Sequence, residues 1–120
     1  MTNLMRTLTL LPLLVLGCTG DQRSALPAAP RDLVDALRAK AAHVCNEATA
    51  AALAARGVTA AEIASGFYIP VTSGDRAASR NTGWDAWISL IGQPGSVVID
   101  HSLNCWVEQI YVRDGARLPR

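Results

Sequence analysis

The sequence predicts an α+β fold, with helices first and an antiparallel β-meander after them, and three observations carry that prediction. Between residues 31 and 56, apolar and small residues recur every three or four positions, at Leu33, Leu37, Ala41, Val44, Ala48, Ala52 and Ala55, the period of a helix with one buried stripe. After residue 66 the pattern changes to β-prone runs, "FYIPVTS", "WDAWISLI", "SVVIDH" and "CWVEQIYV". Only "GQPG" and "SLN" separate the last three, which is too short for a parallel crossover and enough for antiparallel neighbours. A chain of 120 residues has room for one such domain.

The elements follow in order. Pro30 suits the first position of a helix, Asp32 and Asp35 sit near the positive end of its dipole, and Arg56 with Gly57 mark its far end, so one long helix is expected over residues 31–56. In "GVTAAEIASG", Thr59 and Glu62 have the spacing of a capping box and Val58 and Ile63 that of a hydrophobic staple, which predicts a short second helix from Ala60 to Ser65. Pro70 marks the first β-prone run as an edge strand, and Ser73 to Gly83 reads as a polar loop. The fold class is therefore a long and a short helix followed by a three- to four-stranded antiparallel meander, with the domain at 31–115 and a tail at 116–120.

Ahead of the domain, Leu8 to Gly17 is an apolar run of about ten residues, half of what a bilayer-crossing helix needs. Arg6 precedes it and the small residues Gly17, Cys18, Thr19 and Gly20 close it, the order of a signal peptide over residues 1–17. The tetrapeptide Val15-Leu16-Gly17-Cys18 resembles the lipobox of bacterial lipoproteins. The resemblance implies cleavage before Cys18, lipidation of that cysteine with diacylglycerol and a palmitate-type chain, and a place in the bacterial cell envelope. Thr19 after the cysteine, where an aspartate would signal retention, implies the inner leaflet of the outer membrane, facing the periplasm. Two or three acyl chains hold a protein to a bilayer at about 0.8 kcal/mol per buried methylene. Residues 18–30, "CTGDQRSALPAAP", read as a lipidated flexible tether reaching at most about 40 Å.

The order of helix, short helix and meander behind a lipidated cysteine is similar to that of the small lipoproteins of the outer-membrane β-barrel assembly machinery. "GVTAAEI" resembles the segment that opens their second helix, although "GFYIP" stands where they have Gly-x-Pro. The likeness implies an order of elements and no activity.

Composition narrows the partners. The chain has 11 basic and 10 acidic residues, so loss of Arg6 with the leader leaves the exported chain formally neutral. The basic residues, all arginine but Lys40, are scattered singly, which excludes the basic stripe of a nucleic-acid binder and the polybasic patch of an anionic-lipid binder.

With Cys18 lipidated, Cys45 and Cys105 remain as a pair in an oxidising compartment, and a disulfide is expected. His43, Cys45, His101 and Cys105 are of types that bind zinc, but on a helix His43 and Cys45 point about 200° apart, so no metal site is expected. Asp100, His101 and Ser102 are the residue types of a hydrolase triad, yet strand neighbours face opposite sides, and Asp100, Ser102 and Asn104 read as turn residues. No catalytic residue and no cofactor is nominated, and a non-enzymatic role is expected.

The sheet offers the better clue. In "WDAWISLI" one face carries Trp84, Ala86, Ile88 and Leu90, and the other Asp85, Trp87, Ser89 and Ile91. In "CWVEQIYV", simple alternation groups Cys105, Val107 and Tyr111 against Trp106, Ile110 and Val112. A Cys45–Cys105 bridge lays the helix over the cysteine's face. Either the polar loop, the short helix or the tether folds back over the other face, or Trp87, Trp106, Ile110 and Val112 are candidate partner-binding residues for another envelope protein or a second copy. The alternative is an inhibitor of a cell-wall or other envelope hydrolase, inserting the 73–83 loop with Arg76 and Arg80 into a cleft.

Overall fold

In the computed structural model, residues 26–74 and 78–119 are described; the leader, Cys18 with the first part of the tether, and Arg76 lie outside the described residues. Helices α1 (Arg31–Lys40) and α2 (Asn46–Ala55) precede strands β1 (Ile63–Ser73), β2 (Arg80–Leu90), β3 (Ser96–Ser102) and β4 (Val107–Arg113). The four strands form one antiparallel sheet in the order β1-β2-β3-β4. Both helices lie on one face of it. Leu33, Val34 and Leu37 of α1 and Ala50 and Leu53 of α2 share a core with Ile63, Ala86, Ile88, Leu90, Val97 and Ile99 of the sheet. No helix among the described residues is long and apolar enough to cross a membrane.

The expected long helix is two helices of 10 residues each, broken over residues 41–45. Ala41 is extended, its carbonyl accepts the Asn46 side-chain amide at 2.8 Å, and the Cys45 amide donates to His43 Nδ1 at 3.0 Å. The break changes the helical phase. A continuous helix would bury Val44 and Ala48, whereas Val44 is 80% exposed and α2 buries Asn46, Thr49, Ala50 and Leu53. The buried polar pair has partners on the sheet, described below, and that tertiary demand overrides the apolar period. At the far end, Gly57 adopts φ +81° and the amides of Gly57 and Val58 donate to Ala54 and Leu53, closing the helix as a left-handed glycine does.

The second helix is reduced to a 3-10 turn, Ala60–Glu62. Its capping box forms: the amide and the hydroxyl of Thr59 both donate to Glu62 Oε1, at 3.0 and 2.9 Å, while Val58 and Ile63 are buried beside it. Ile63 then opens β1, so that strand starts earlier than the β-prone run suggested. Pairing with β2 also takes Arg80 to Gly83 out of the expected loop. Beyond residue 115, Ala116 is buried, Leu118 packs on the core and the Arg117 amide donates to Gln93 Oε1 at 2.7 Å.

One irregularity decides the faces of β4. The β3–β4 register runs Val97↔Val112, Val98↔Tyr111, Ile99↔Ile110 and Asp100↔Gln109, then jumps to His101↔Val107. The extra residue is a β-bulge, and it inverts the alternation read from the sequence. Ile110 and Val112 therefore lie on the helix-covered side, opposite Ile99 and Val97, and Ile110 packs against the core. Tyr111, expected under the helix, is on the open side.

Cys45 and Cys105 are joined across a separation of 60 residues. Replacing both, Cys45→Ala with Cys105→Ala, is expected to remove about 4 kcal/mol of stability by the loop-closure argument, read as a lowered urea midpoint; an unchanged midpoint would show that the bridge constrains nothing. Gly83 sits where a Cβ would overlap the His101 carbonyl oxygen on β3. Gly83→Ala is accordingly expected to part the β2–β3 ladder there, seen as faster amide exchange at Ser102 and its neighbours than in the core of the sheet.

Candidate functional site

The sheet face away from the helices is built from alternate residues of all four strands, and the register arranges them in rows. One row runs Phe67, Trp87, Val98, Tyr111. To one side lie Ile69, Asp85, Asp100 and Gln109, and to the other Ser65, Ser89, Ser96 and Arg113. Phe67 and Trp87 stand with rings parallel and centroids 6.2 Å apart, and the Arg113 guanidinium lies 5.6 Å from the centre of the Trp87 ring. Phe67 is 50% and Ile69 43% exposed. Val98 is buried although it lies on this face, because the large side chains on both flanks roof it over.

The face carries two uncompensated polar features. Trp87 Nε1 is shut off from solvent with no acceptor, which costs about 1–3 kcal/mol. Asp85 and Asp100 stand directly opposite on β2 and β3, and among the described residues neither has a cation within ion-pair distance. Burial, followed by the hydrogen bond and the charge of Asp100, raises the pKa of the Asp85 carboxyl. Like charges opposed across a ladder are destabilising unless something supplies donors.

On the covered face, the polar groups form one chain tying α2 to β1 and β3. His101 Nδ1 lies 3.2 Å from the Cys105 carbonyl and its Nε2 2.8 Å from Thr49 Oγ1; Thr49 Oγ1 lies 2.8 Å from the Tyr68 hydroxyl, which donates to Asn46 Oδ1 at 2.7 Å. Each of these four contacts needs a proton. Neutral imidazole and the two hydroxyls supply three. One contact therefore goes without: that to the Cys105 carbonyl if His101 carries its hydrogen on Nε2, or one of the two Thr49 Oγ1 contacts if it carries it on Nδ1. An imidazolium would complete the set, but burial outweighs the Cys105 carbonyl and lowers the His101 pKa. Burial also pushes the Tyr68 hydroxyl up to about 12, so it stays protonated. His43 stacks on Tyr68 at 3.8 Å, meets Trp84 edge-on at 4.8 Å, and burial lowers its pKa too. This chain fixes the helices to the sheet. The bridge occupies both cysteines, and among the described residues no group of His, Cys, Asp and Glu is placed to hold a metal.

The other nominated residues scatter. Trp106, exposed at 38%, borders a separate groove of about 430 Å³ with Leu26, Val44 and Glu47, at the start of β4. Arg80 is exposed at the start of β2. Asp100 is mid-strand and not in a turn, and it faces the side opposite to His101. Of the nominated residues that are described, Trp87 alone is on the open face. Phe67, Ile69, Tyr111 and the Asp85–Asp100 pair were missed there. Period-two alternation in "FYIPV" held the signal for Phe67 and Ile69, but Tyr111 needed the bulge.

Both histidines titrate below the ordinary value of about 6.5. Between that value and their folded midpoints the unfolded chain binds more protons, so the stability is present above about pH 6.5 and lost as pH falls below it. The melting temperature is expected to drop from pH 7 to pH 5.5, with the His101 imidazole midpoint by NMR below 6.5; a midpoint above 6.5 would mean that the fourth hydrogen bond outweighs burial. The raised Asp85 value acts in the opposite sense and at lower pH.

Compared with protein-family models, with curated proteins and with solved structures, the chain matches none.

Proposed function

We propose that this protein is a non-enzymatic protein-binding module, held by lipid on Cys18 to the periplasmic side of a bacterial outer membrane, that presents the open face of its sheet to another protein. The observation that carries the reading is the cross-strand row of exposed Phe67 and half-buried Trp87 and Tyr111, with exposed Ile69 beside it, on a face opposite both helices. Aromatic residues at the centre of a patch are the side chains that dominate protein–protein affinity, and a monomer gains nothing by showing them to water. The route of the chain agrees with this. Leu26 and Pro27 border the groove beside Trp106 and Val107, on the helix side, so the described chain begins away from the open face. The eight residues 18–25 span at most about 28 Å, which keeps the domain within reach of envelope proteins near the membrane.

Two experiments test this. Cys18→Ala is expected to abolish palmitate labelling and move the protein from the membrane to the soluble fraction; retained labelling would refute lipidation at that residue. A photo-crosslinking amino acid placed at Phe67 in intact cells is expected to give a protein adduct that the same probe at Val44, the most exposed apolar site on the helix side, does not. Equal adducts at both positions, or none at Phe67, would refute the open face as the binding surface.

A further inference from the structure

Resting on that reading of the open face, we propose that its occupant is a second copy of this chain, packed face to face about a two-fold axis that runs along the row Phe67–Trp87–Val98–Tyr111. The charge pattern selects both the partner and the axis. With the axis along the aromatic row, Phe67, Trp87 and Tyr111 each meet their own counterpart over the buried Val98, and the two flanking rows exchange places. Ser89 and Ser96, whose hydroxyls lie 3.4 Å apart, then come opposite Asp85 and Asp100 of the second copy. Arg113 comes opposite Gln109, one strand spacing from Asp100 of the second copy. Hydroxyl donors and a guanidinium thus reach the carboxylate pair that has no cation within ion-pair distance among the described residues, and they do so twice by symmetry. Turning the axis by 90°, along the strands, places Asp85 against Asp100 of the other chain and stacks four carboxylates together. That alternative is repelled.

The tether supports the same axis. An axis along the row runs from the β1 edge to the β4 edge of the sheet, so both copies have β4 at the same end. The described chain begins at the groove beside Trp106 and Val107, at the start of β4. Two lipid anchors would therefore leave from one end of the pair and enter one membrane. Sheets pack about 10 Å apart, and a face of four strands by six residues covers roughly 400 Å² in projection, on the small side against about 800 Å² per partner in a standard interface. The pair is expected to be dissociable in water and favoured by confinement at a membrane.

The test uses the full lipidated chain in detergent and in vesicles. Phe67→Cys places a thiol on the axis, and mild oxidation is expected to give a covalent dimer, whereas Ile69→Cys, off the axis, gives little. Sedimentation equilibrium in detergent is expected to show a monomer–dimer equilibrium that Asp100→Lys weakens about tenfold, with most of the loss recovered in Asp100→Lys/Arg113→Asp. Far-ultraviolet circular dichroism checks each fold, and if Asp100→Lys unfolds, the Phe67 and Ile69 thiols decide alone. A chain that stays monomeric in detergent and shows no preference for the Phe67 thiol in vesicles overturns the proposal. If the probe at Phe67 still yields an adduct with a different protein in cells, the protein-binding reading stands and only self-association falls; if it yields none, both fall.

Discussion

The attachment of α2 to the β3–β4 end of the sheet is the constraint on which the rest of the structure depends. Cys45 sits at the break between the helices and Cys105 in the turn before β4, at φ +64°, so the bridge joins two places where the regular backbone is interrupted. One residue after Cys45 the polar chain begins, passing from Asn46 through Tyr68 and Thr49 to His101, whose Nδ1 faces the carbonyl of Cys105 itself. Covalent and hydrogen-bonded links thus run side by side between the same elements. Among the described residues, a core cluster of thirteen buried apolar residues, three of them alanine, gives modest hydrophobic stabilisation, so a loop-closing bridge and a buried polar chain carry a large share of the specificity. They also determine which face of the sheet is covered. With α2 bonded to His101 and the shared core of both helices on the side of Val97 and Ile99, the side chains of Trp87, Val98 and Tyr111 are left on the other.

How much of this was legible in the sequence follows from the range of the forces involved. Features set by residues within one turn or one hairpin were readable: the capping box at Thr59 and Glu62, the glycine closing α2, the short links that make a meander, and the face that carries Trp84, Ala86, Ile88 and Leu90. Features set by partners far along the chain were not. Asn46 and Thr49 look like the polar side of a helix until Tyr68 and His101, 19 to 52 residues on, give them hydrogen bonds. Only then does breaking the helix at 41–45 become favourable. The bulge opposite His101 was equally hidden, because "CWVEQIYV" alternates acceptably in either phase, and a one-residue slip exchanges Ile110 and Val112 for Tyr111. The candidate site inherited that error. Trp87 was placed by its own strand alone, whereas the row around it needed three correct registers.

The edges of the sheet show why its open face, and not its rim, is the surface suited to association. An exposed strand edge recruits further strands without limit, and natural sheets blunt their edges with proline, charge and bulges. Both edges here are blunted. β1 carries Pro70, which has no amide hydrogen to offer, and further irregularities in its pairing with β2 after Ile63 and Val71. β4 carries Glu108 and Arg113 and the bulge that twists it away from its neighbour. Contact through the faces has the opposite character. An isologous pairing uses up the patch on both copies and closes at two, whereas edge-to-edge addition leaves a new edge each time. A sequence that spends proline, charge and a bulge on its rims, while leaving aromatic rings on a face with a like-charge pair beside them and hydroxyls across from it, has suppressed open-ended addition and retained the one contact that stops by itself.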